Sequence, residues 1–211
     1  RKAKMKKQFN MLLDDLPKEI KGKRIHYDFR TLIKYEMLLR NEELTESEKI
    51  EKAIKLFYID MPENLQEAIE DLNWFYQCGK ERKGEKSESQ SPAYDFSCDD
   101  EMLYSSFFQD YGVKLDDLTD LHWWSFIAMM SGLSDKTIFK TAVGYRVADT
   151  SKMSKEMKEH YERCKEIFAI NQNEKQKFES MSDRNMDFIL RMRKRVKDAH
   201  KQTTKNEINT I

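Results

Sequence analysis

The 211-residue sequence contains few of the residues that interrupt helices. It has six Gly and three Pro, whereas β-sandwiches and β-barrels need many turns, which are rich in these residues. It has no apolar run near the ~20 residues that a membrane-spanning helix requires, and no leader typical of a signal peptide. These absences predict a mainly helical protein that is located in the cytoplasm and does not bind a membrane.

Cysteine is also scarce. Cys78, Cys98 and Cys164 are an odd number of widely separated thiols, a pattern that excludes a disulfide-stapled secreted domain. His160 and Cys164 are four residues apart and would face the same way on a helix, as two metal ligands must. A closed zinc site needs about four ligands, and no second closely spaced pair is present. We therefore expect no metal and no other cofactor.

The motifs of common enzymes are missing. The chain has no Gly-rich phosphate loop, no Gly-x-Ser-x-Gly elbow and no His-Glu-x-x-His pair. The adjacent acidic pairs Asp99/Asp100 and Asp116/Asp117 could serve acid–base chemistry or magnesium binding. Both pairs lie where helices are predicted to begin, and a carboxylate there interacts favourably with the helix dipole. We interpret them in that way and predict that the protein is not an enzyme.

Apolar residues recur at helical spacing along most of the chain. A short β-hairpin around Lys21-Gly22 is predicted first, and then a helix from about Asp28 to Arg40. Thr45 and Glu48 form a capping-box pattern before a second helix, and Pro62 is assigned to the first turn of a third. Further helices are predicted over residues 99–111, 118–131, 134–145, 154–169 and 175–200.

The predicted fold class is mainly α, a bundle of about seven or eight helices with a short N-terminal β-hairpin and a C-terminal helical arm. The polar stretch before Ala93 has too little apolar surface to offset the entropy of ordering it. The predicted organisation is a basic leader (1–10), an N-terminal hairpin and helical lobe (11–79), a flexible loop (80–92), a C-terminal helical lobe (93–170) and a basic amphipathic arm (171–211).

Charge is segregated along the chain although the formal net charge is zero. Residues 95–121 contain eight acidic residues and one basic residue, Lys114. Residues 184–205 contain eight basic residues and two acidic residues. This separation favours head-to-tail self-association or oppositely charged partners, so we expect a homo-oligomer.

Three groups of side chains are candidates for binding a partner. Three consecutive aromatic residues on one helix cannot all face the core, so one is left for a partner. Two adjacent tryptophans are interpreted as core or oligomer-interface residues, with base stacking as the less favoured alternative. In the arm, apolar residues share one side and cations surround them, which indicates a solvated basic face or, less favoured, phosphate binding. The candidates are Trp74, Phe75 and Tyr76, then Trp123 and Trp124, then Phe188 and Met192 with Arg191, Arg193, Lys194 and Arg195.

Several short motifs occur in a specific order. They are Leu16–Ile20, Asp28–Thr31, Trp74–Lys80, Tyr94–Phe96, Tyr111–Val113, Leu121–Trp124, Gly144–Arg146 and Ser151–Met153. The series covers about Met11 to Ile170 and resembles the bacteriophage gene-product-fifteen family. Residues 1–10 are additional to the family pattern, and the segment 171–211 is longer and more basic than that pattern leads us to expect.

The resemblance implies a non-enzymatic tail-assembly chaperone in the host cell cytoplasm. Such a protein binds the tape-measure protein, keeps it soluble, and helps the major tail protein polymerise around it. Two alternatives stay open. One is a nucleic-acid-binding accessory factor acting through the basic C-terminal helix, which is less favoured, and the other is a structural subunit of the finished tail.

Overall fold

The structure, a computed structural model, describes residues 9–80 and 93–170. Contacts within the chain group it into two units, Arg1–Ala169 and Ile170–Ile211, and all elements below belong to the first. The predicted fold class is confirmed, because the described part contains seven helices and one two-stranded hairpin. The predicted loop, apart from Lys80, and the predicted arm helix lie outside the described residues. None of the described helices is long and apolar enough to span a membrane.

The N-terminal hairpin pairs β1 (Glu19–Ile20) with β2 (Lys23–Arg24) in antiparallel register, with Glu19 opposite Arg24. Lys21 and Gly22 form its turn and have φ values of 49° and 76°. Two consecutive positive φ angles are what a two-residue type I′ hairpin loop requires. The turn predicted at Lys21-Gly22 is therefore confirmed.

Three helices follow the hairpin, α1 (Phe29–Arg40), α2 (Glu46–Phe57) and α3 (Leu65–Tyr76). The predicted capping box before α2 is confirmed, since Thr45 accepts from the Glu48 N–H and Glu48 accepts from the Thr45 N–H. The assignment of Pro62 to the first turn of α3 is wrong. The Asn64 side chain accepts from the N–H groups of the next helical turn and so starts α3 at Leu65.

The second half contains α4 (Asp100–Tyr111), α5 (Trp123–Gly132), α6 (Ile138–Val147) and α7 (Lys155–Ile167). Helices α5 and α6 begin later than predicted. The side chains of His122 and Thr137 accept from the backbone N–H groups of Trp124 and Lys140. These caps place the first helical residue beyond each of them, because a cap residue itself is not helical.

The buried core joins residues from both sides of the segment 81–92. The Phe126 ring stacks on Phe29 with 4.6 Å between ring centroids, and on Phe107 with 5.4 Å. Helices α1, α4 and α5 therefore meet at Phe126, which is fully buried. The predicted division into two lobes remains a prediction.

Candidate interaction surface

Helix α4 presents three aromatic side chains to solvent. Tyr104, Phe108 and Tyr111 are 37%, 53% and 39% exposed. They are four and three residues apart, so they project from the same side of the helix. Glu101, one turn before Tyr104, is exposed on that side as well. We refer to the surface formed by these four residues as the α4 face.

The opposite side of α4 is fixed by the core. Leu103 and Phe107 are buried there, and the Ser106 hydroxyl donates to the Met102 carbonyl with 2.6 Å between oxygens. The same hydroxyl oxygen accepts from the N–H of Phe139, at the start of α6, with an N···O distance of 3.2 Å. Because these contacts set the rotation of the helix, the α4 face has to point outward.

Both tyrosines of the α4 face are held by their hydroxyl groups. Tyr104 Oη donates to Asp116 Oδ1 over 2.6 Å, and Tyr111 Oη donates to the Met129 carbonyl over 2.8 Å. The first bond raises the pKa of Tyr104 and lowers the pKa of Asp116, so it stabilises the protonated phenol and the charged carboxylate, the forms that both groups have at neutral pH. Rings that are oriented in advance lose little entropy when a partner packs on them.

Carboxylates surround this apolar surface. Glu101 is part of the α4 face, and Asp116 and Asp117 lie close enough to Tyr104 to raise its pKa electrostatically. The expectation that Asp116 and Asp117 begin a helix is wrong, since they lie in a turn and α5 starts only at Trp123. Glu101, Asp116 and Asp117 outnumber the cations near Asp116, which are Lys114 and Arg30. Arg30 already pairs with Asp28, so the rim of the α4 face is negative in net charge.

The other acidic pair contains a buried ion-pair residue. Arg146 Nη1 and Nη2 donate to the two carboxylate oxygens of Asp99 over 2.6 and 2.8 Å, and both side chains are almost fully buried. Asp99 precedes α4 but makes no side-chain cap to it, so the helix-dipole interpretation does not explain this residue. Arg146 also donates to the carbonyls of Ala93 and Phe168, and thereby connects the segments before α4 and after α7.

A model of the family described as Bacteriophage Gp15 protein matches residues 12–170. The chain belongs to this family. No curated protein and no solved structure is significantly similar to it. The matched region contains the whole α4 face, whereas the basic segment 171–211 lies outside the match. The resemblance seen in the order of the sequence motifs is thus confirmed, and this is a protein of a bacteriophage family.

The adjacent tryptophans of this Gp15-family chain are core residues. Trp123 and Trp124 are each 1% exposed. Their indole N–H groups donate to the carbonyls of Tyr76 and Phe75 over 2.9 and 2.8 Å. Carbonyls in the last turn of a helix have no intrahelical partner, so the two indoles satisfy the end of α3. Trp123 and Trp124 are therefore core residues, and neither ring is exposed for base stacking or for contact with a partner.

The three consecutive aromatics at the end of α3 are exposed to different degrees. Phe75 is fully buried, while Trp74 is 38% exposed. Tyr76 is partly buried and its Oη donates to Glu36 Oε2 over 2.6 Å. Trp74 is therefore the one of the three with a large free surface, and its partner-binding role remains a prediction. Its ring also packs edge-on against Trp124, with 5.5 Å between ring centroids.

The remaining candidates and their predicted role in partner binding lie outside the described residues. These are Phe188, Met192, Arg191, Arg193, Lys194 and Arg195. Sequence reasoning, in turn, did not select the aromatic residues of the α4 face. A usable signal was present, because α4 carries apolar residues on two sides, Leu103 and Phe107 on one and Tyr104, Phe108 and Tyr111 on the other. A surface helix needs only one apolar side for the core.

The His and Cys side chains of the described part form no metal site, and the Cys78 thiol is kept protonated. No group of three or more His, Cys, Asp or Glu residues could hold a metal ion within residues 9–80 and 93–170. His160 Nε2 lies 3.6 Å from Cys164 Sγ, as their helical spacing predicts. Burial raises the pKa of the Cys78 thiol to about 11, which disfavours the reactive thiolate at neutral pH. The α4 face, by contrast, offers exposed aromatic rings for noncovalent contact.

Proposed function

We propose that this Gp15-family protein is a non-enzymatic chaperone of phage tail assembly that binds the tape-measure protein in the host cytoplasm. The observation that carries the proposal is the α4 face, an exposed aromatic surface that is held rigid before a partner arrives. Phe108 is the centre of this surface, because it is the most exposed of the three rings and lies between two hydroxyl-anchored tyrosines.

The geometry suits a helical partner. Aromatic residues with helical spacing form a ridge, and such a ridge packs into the groove of a second helix. Buried Tyr and Phe anchors provide much of the binding energy at protein interfaces. A long helical tape-measure protein with exposed apolar positions would be protected from self-association by such contacts. The proposed role includes delivery of the tape-measure protein to the major tail protein, with self-association of the chaperone.

Co-expression with the tape-measure protein of the same phage tests the proposal. The wild-type chain is expected to keep the tape-measure protein in the soluble fraction and to co-purify with it. Phe108→Ser is expected to reduce both effects, since it removes the central ring. Met157→Ser on α7 is the matched control, because Met157 is 52% exposed, against 53% for Phe108.

The result that contradicts the proposal is equal recovery of the tape-measure protein with Phe108→Ser and wild type. Circular dichroism of each variant confirms that it is folded, so that a loss of binding is separated from a loss of structure. The nucleic-acid alternative, based on the basic residues 184–205, requires binding that weakens steeply with salt. The structural-subunit alternative requires that mass spectrometry detect the chain in purified virions.

A further inference from the structure

We propose that the α4 face binds a basic amphipathic helix of a partner protein, with the apolar side of that helix on the aromatic rings and its Lys or Arg residues on the acidic rim. This inference rests on the proposed function, because it specifies the chemistry of the tape-measure segment that the chaperone would recognise. Any protein with a helix of this chemistry would be expected to bind the α4 face.

The spacing of the rings defines the shape of the bound segment. From Tyr104 to Tyr111 the α4 face extends over seven residues, about 10 Å along the helix axis at 1.5 Å per residue. Phe108 protrudes between the two tyrosines, whose hydroxyls are already bonded within the protein. The surface therefore offers ring carbons and few free polar groups. A helix with apolar residues on successive turns matches it, because that helix satisfies its own backbone hydrogen bonds.

The carboxylates around the α4 face predict that the bound segment is positively charged. Glu101 lies at one end of the α4 face, and Asp116 and Asp117 lie beside Tyr104. Asp116 is ionised at neutral pH, as an aspartate ordinarily is, and the hydrogen bond from Tyr104 lowers its pKa further, together with the nearby charges of Lys114 and Arg30. A Lys or Arg side chain can cover an aromatic ring with its methylene groups while its charge reaches a carboxylate. An acidic helix with the same apolar side would be repelled.

The described helices of a second copy offer few free cations to an acidic rim. Helices α1 and α6 each have a net charge of +2, but Arg30, Arg40 and Arg146 already pair with carboxylates of their own chain. Among the described helices, α7 is the most highly charged, and it contains four basic and four acidic residues in alternation. Its charge is balanced, so it does not complement an acidic rim. The occupant that the charges favour is therefore a cationic helix of another protein. The basic segment 184–205 of a second copy is the alternative occupant and is treated as a separate outcome of the test.

The experiment titrates the full-length protein with two synthetic peptides of about 20 residues, long enough to form a helix on binding. Both peptides have the same Leu and Ala residues on one side of the helix. The other side carries Lys and Arg in the basic peptide and Glu in the acidic peptide. Fluorescence anisotropy is expected to show binding of the basic peptide at least ~10-fold tighter than binding of the acidic one, a difference of one decade in Kd. The preference is expected to shrink at high salt.

Variants of the protein locate the binding site. The double variant Glu101→Lys/Asp117→Lys is expected to weaken binding of the basic peptide by ~10-fold, and Phe108→Ser is expected to weaken binding of both peptides. The matched control is Glu156→Lys/Glu159→Lys, which makes the same change of net charge on α7. This control is expected to leave the affinity for the basic peptide unchanged.

Three outcomes would overturn the inference. The first is equal affinity of the protein for the two peptides. The second is an affinity of the Glu101→Lys/Asp117→Lys variant for the basic peptide that equals that of wild type. The third is tighter binding of a peptide with the sequence of residues 184–205 than of the designed basic peptide, together with loss of an oligomer of the chain in the same double variant. That result assigns the α4 face to self-association.

Failure of the inference and failure of the proposed function give different results. If the tape-measure protein co-purifies in a way that depends on Phe108 but not on Glu101 and Asp117, the function stands and the charge argument fails. If the basic peptide binds the α4 face but the tape-measure protein does not co-purify, the surface chemistry stands and the assignment of the partner fails.

Discussion

The hydroxyl group of Tyr104 donates to a carboxylate oxygen of Asp116, with 2.6 Å between the two oxygens. This bond connects an exposed ring of α4 to the turn that precedes α5. It fixes the orientation of the ring and keeps a negative charge beside it. An aromatic surface and its acidic rim are thus coupled through one hydrogen bond.

The first prediction concerns this coupling. Tyr104→Phe removes the hydrogen bond and is expected to raise the pKa of Asp116 toward its ordinary value, because that bond is the largest cause of the lowered pKa. A carboxyl group with a lowered folded-state pKa stabilises the fold above its ordinary pKa, and this stabilisation is lost as pH falls through the folded-state value. The Tyr104→Phe variant is expected to lose the part of this stabilisation that comes from the hydrogen bond. Carboxyl carbon NMR during a pH titration measures the change.

Tyr111→Phe is the matched control for that titration. Its hydroxyl donates to the backbone carbonyl of Met129 and not to a carboxylate. The substitution should therefore leave the titration of Asp116 unaltered. An Asp116 titration that is the same in Tyr104→Phe as in wild type would show that the bond has no effect on the carboxylate.

The second prediction concerns the buried ion pair. Asp99→Ala leaves the Arg146 guanidinium, whose side chain is 8% exposed, without its carboxylate. Loss of one member of a buried pair typically costs about 3–5 kcal/mol in the free energy of unfolding. Urea denaturation is expected to show a loss of that order. Asp100→Ala, at the exposed neighbouring position, should cost far less, and equal losses for the two variants would contradict the role of the pair.

The third prediction concerns pH. His122 Nδ1 accepts from the Trp124 N–H, and Nε2 lies 3.0 Å from the Pro17 carbonyl oxygen, an arrangement that requires the neutral ring with its proton on Nε2. Burial lowers the pKa of His122 below its ordinary value of 6.5. Stability linked to this group is therefore complete above pH 6.5 and decreases as pH falls toward the folded-state pKa.

Urea denaturation at a series of pH values measures this effect, and His122→Asn is the comparison. Asn can still cap α5 with its side-chain oxygen, but it does not titrate. The variant is expected to be less stable at pH 7.5 and to depend less on pH between about 6.5 and 5. A folded-state pKa of His122 above 6.5, measured by NMR, would contradict the prediction.

The fourth prediction concerns Gly79, which follows α3 with a φ of +70°. A Cβ at this position would lie 2.9 Å from Cη2 of the buried Trp124 ring. Gly79→Ala combines backbone strain with overpacking and is expected to destabilise the fold by about 2–4 kcal/mol. Gly112→Ala is the control, since Gly112 has a φ of +65° but open space around its Cβ position. The difference between the two variants in thermal or urea denaturation measures the contact with Trp124.

The interpretations that depended on neighbouring residues were the most accurate. The Lys21-Gly22 turn and the Thr45–Glu48 capping box are confirmed because each involves residues no more than three positions apart. The start of α3 was missed although Asn64 is also a local signal, since Pro62 competed with it as a plausible first-turn residue. The start of α5 was missed because Leu118 and Leu121, just before it, resemble part of its apolar side. The start of α6 was missed because Ser134 is as favoured a cap residue as Thr137, which caps the helix.

Sequence alone determined the mainly helical class, the hairpin and the family. Helices and a tight hairpin form hydrogen bonds between residues close in sequence, and the order of motifs can be read directly from the sequence. The tertiary structure decided which apolar residues remain outside. Tyr104, Phe108 and Tyr111 have the same helical spacing as core residues, and only the packing of Leu103 and Phe107 shows which side of α4 faces solvent. The Asp99–Arg146 pair joins residues 47 positions apart, so it exists only once distant segments pack together and exclude water from the charges.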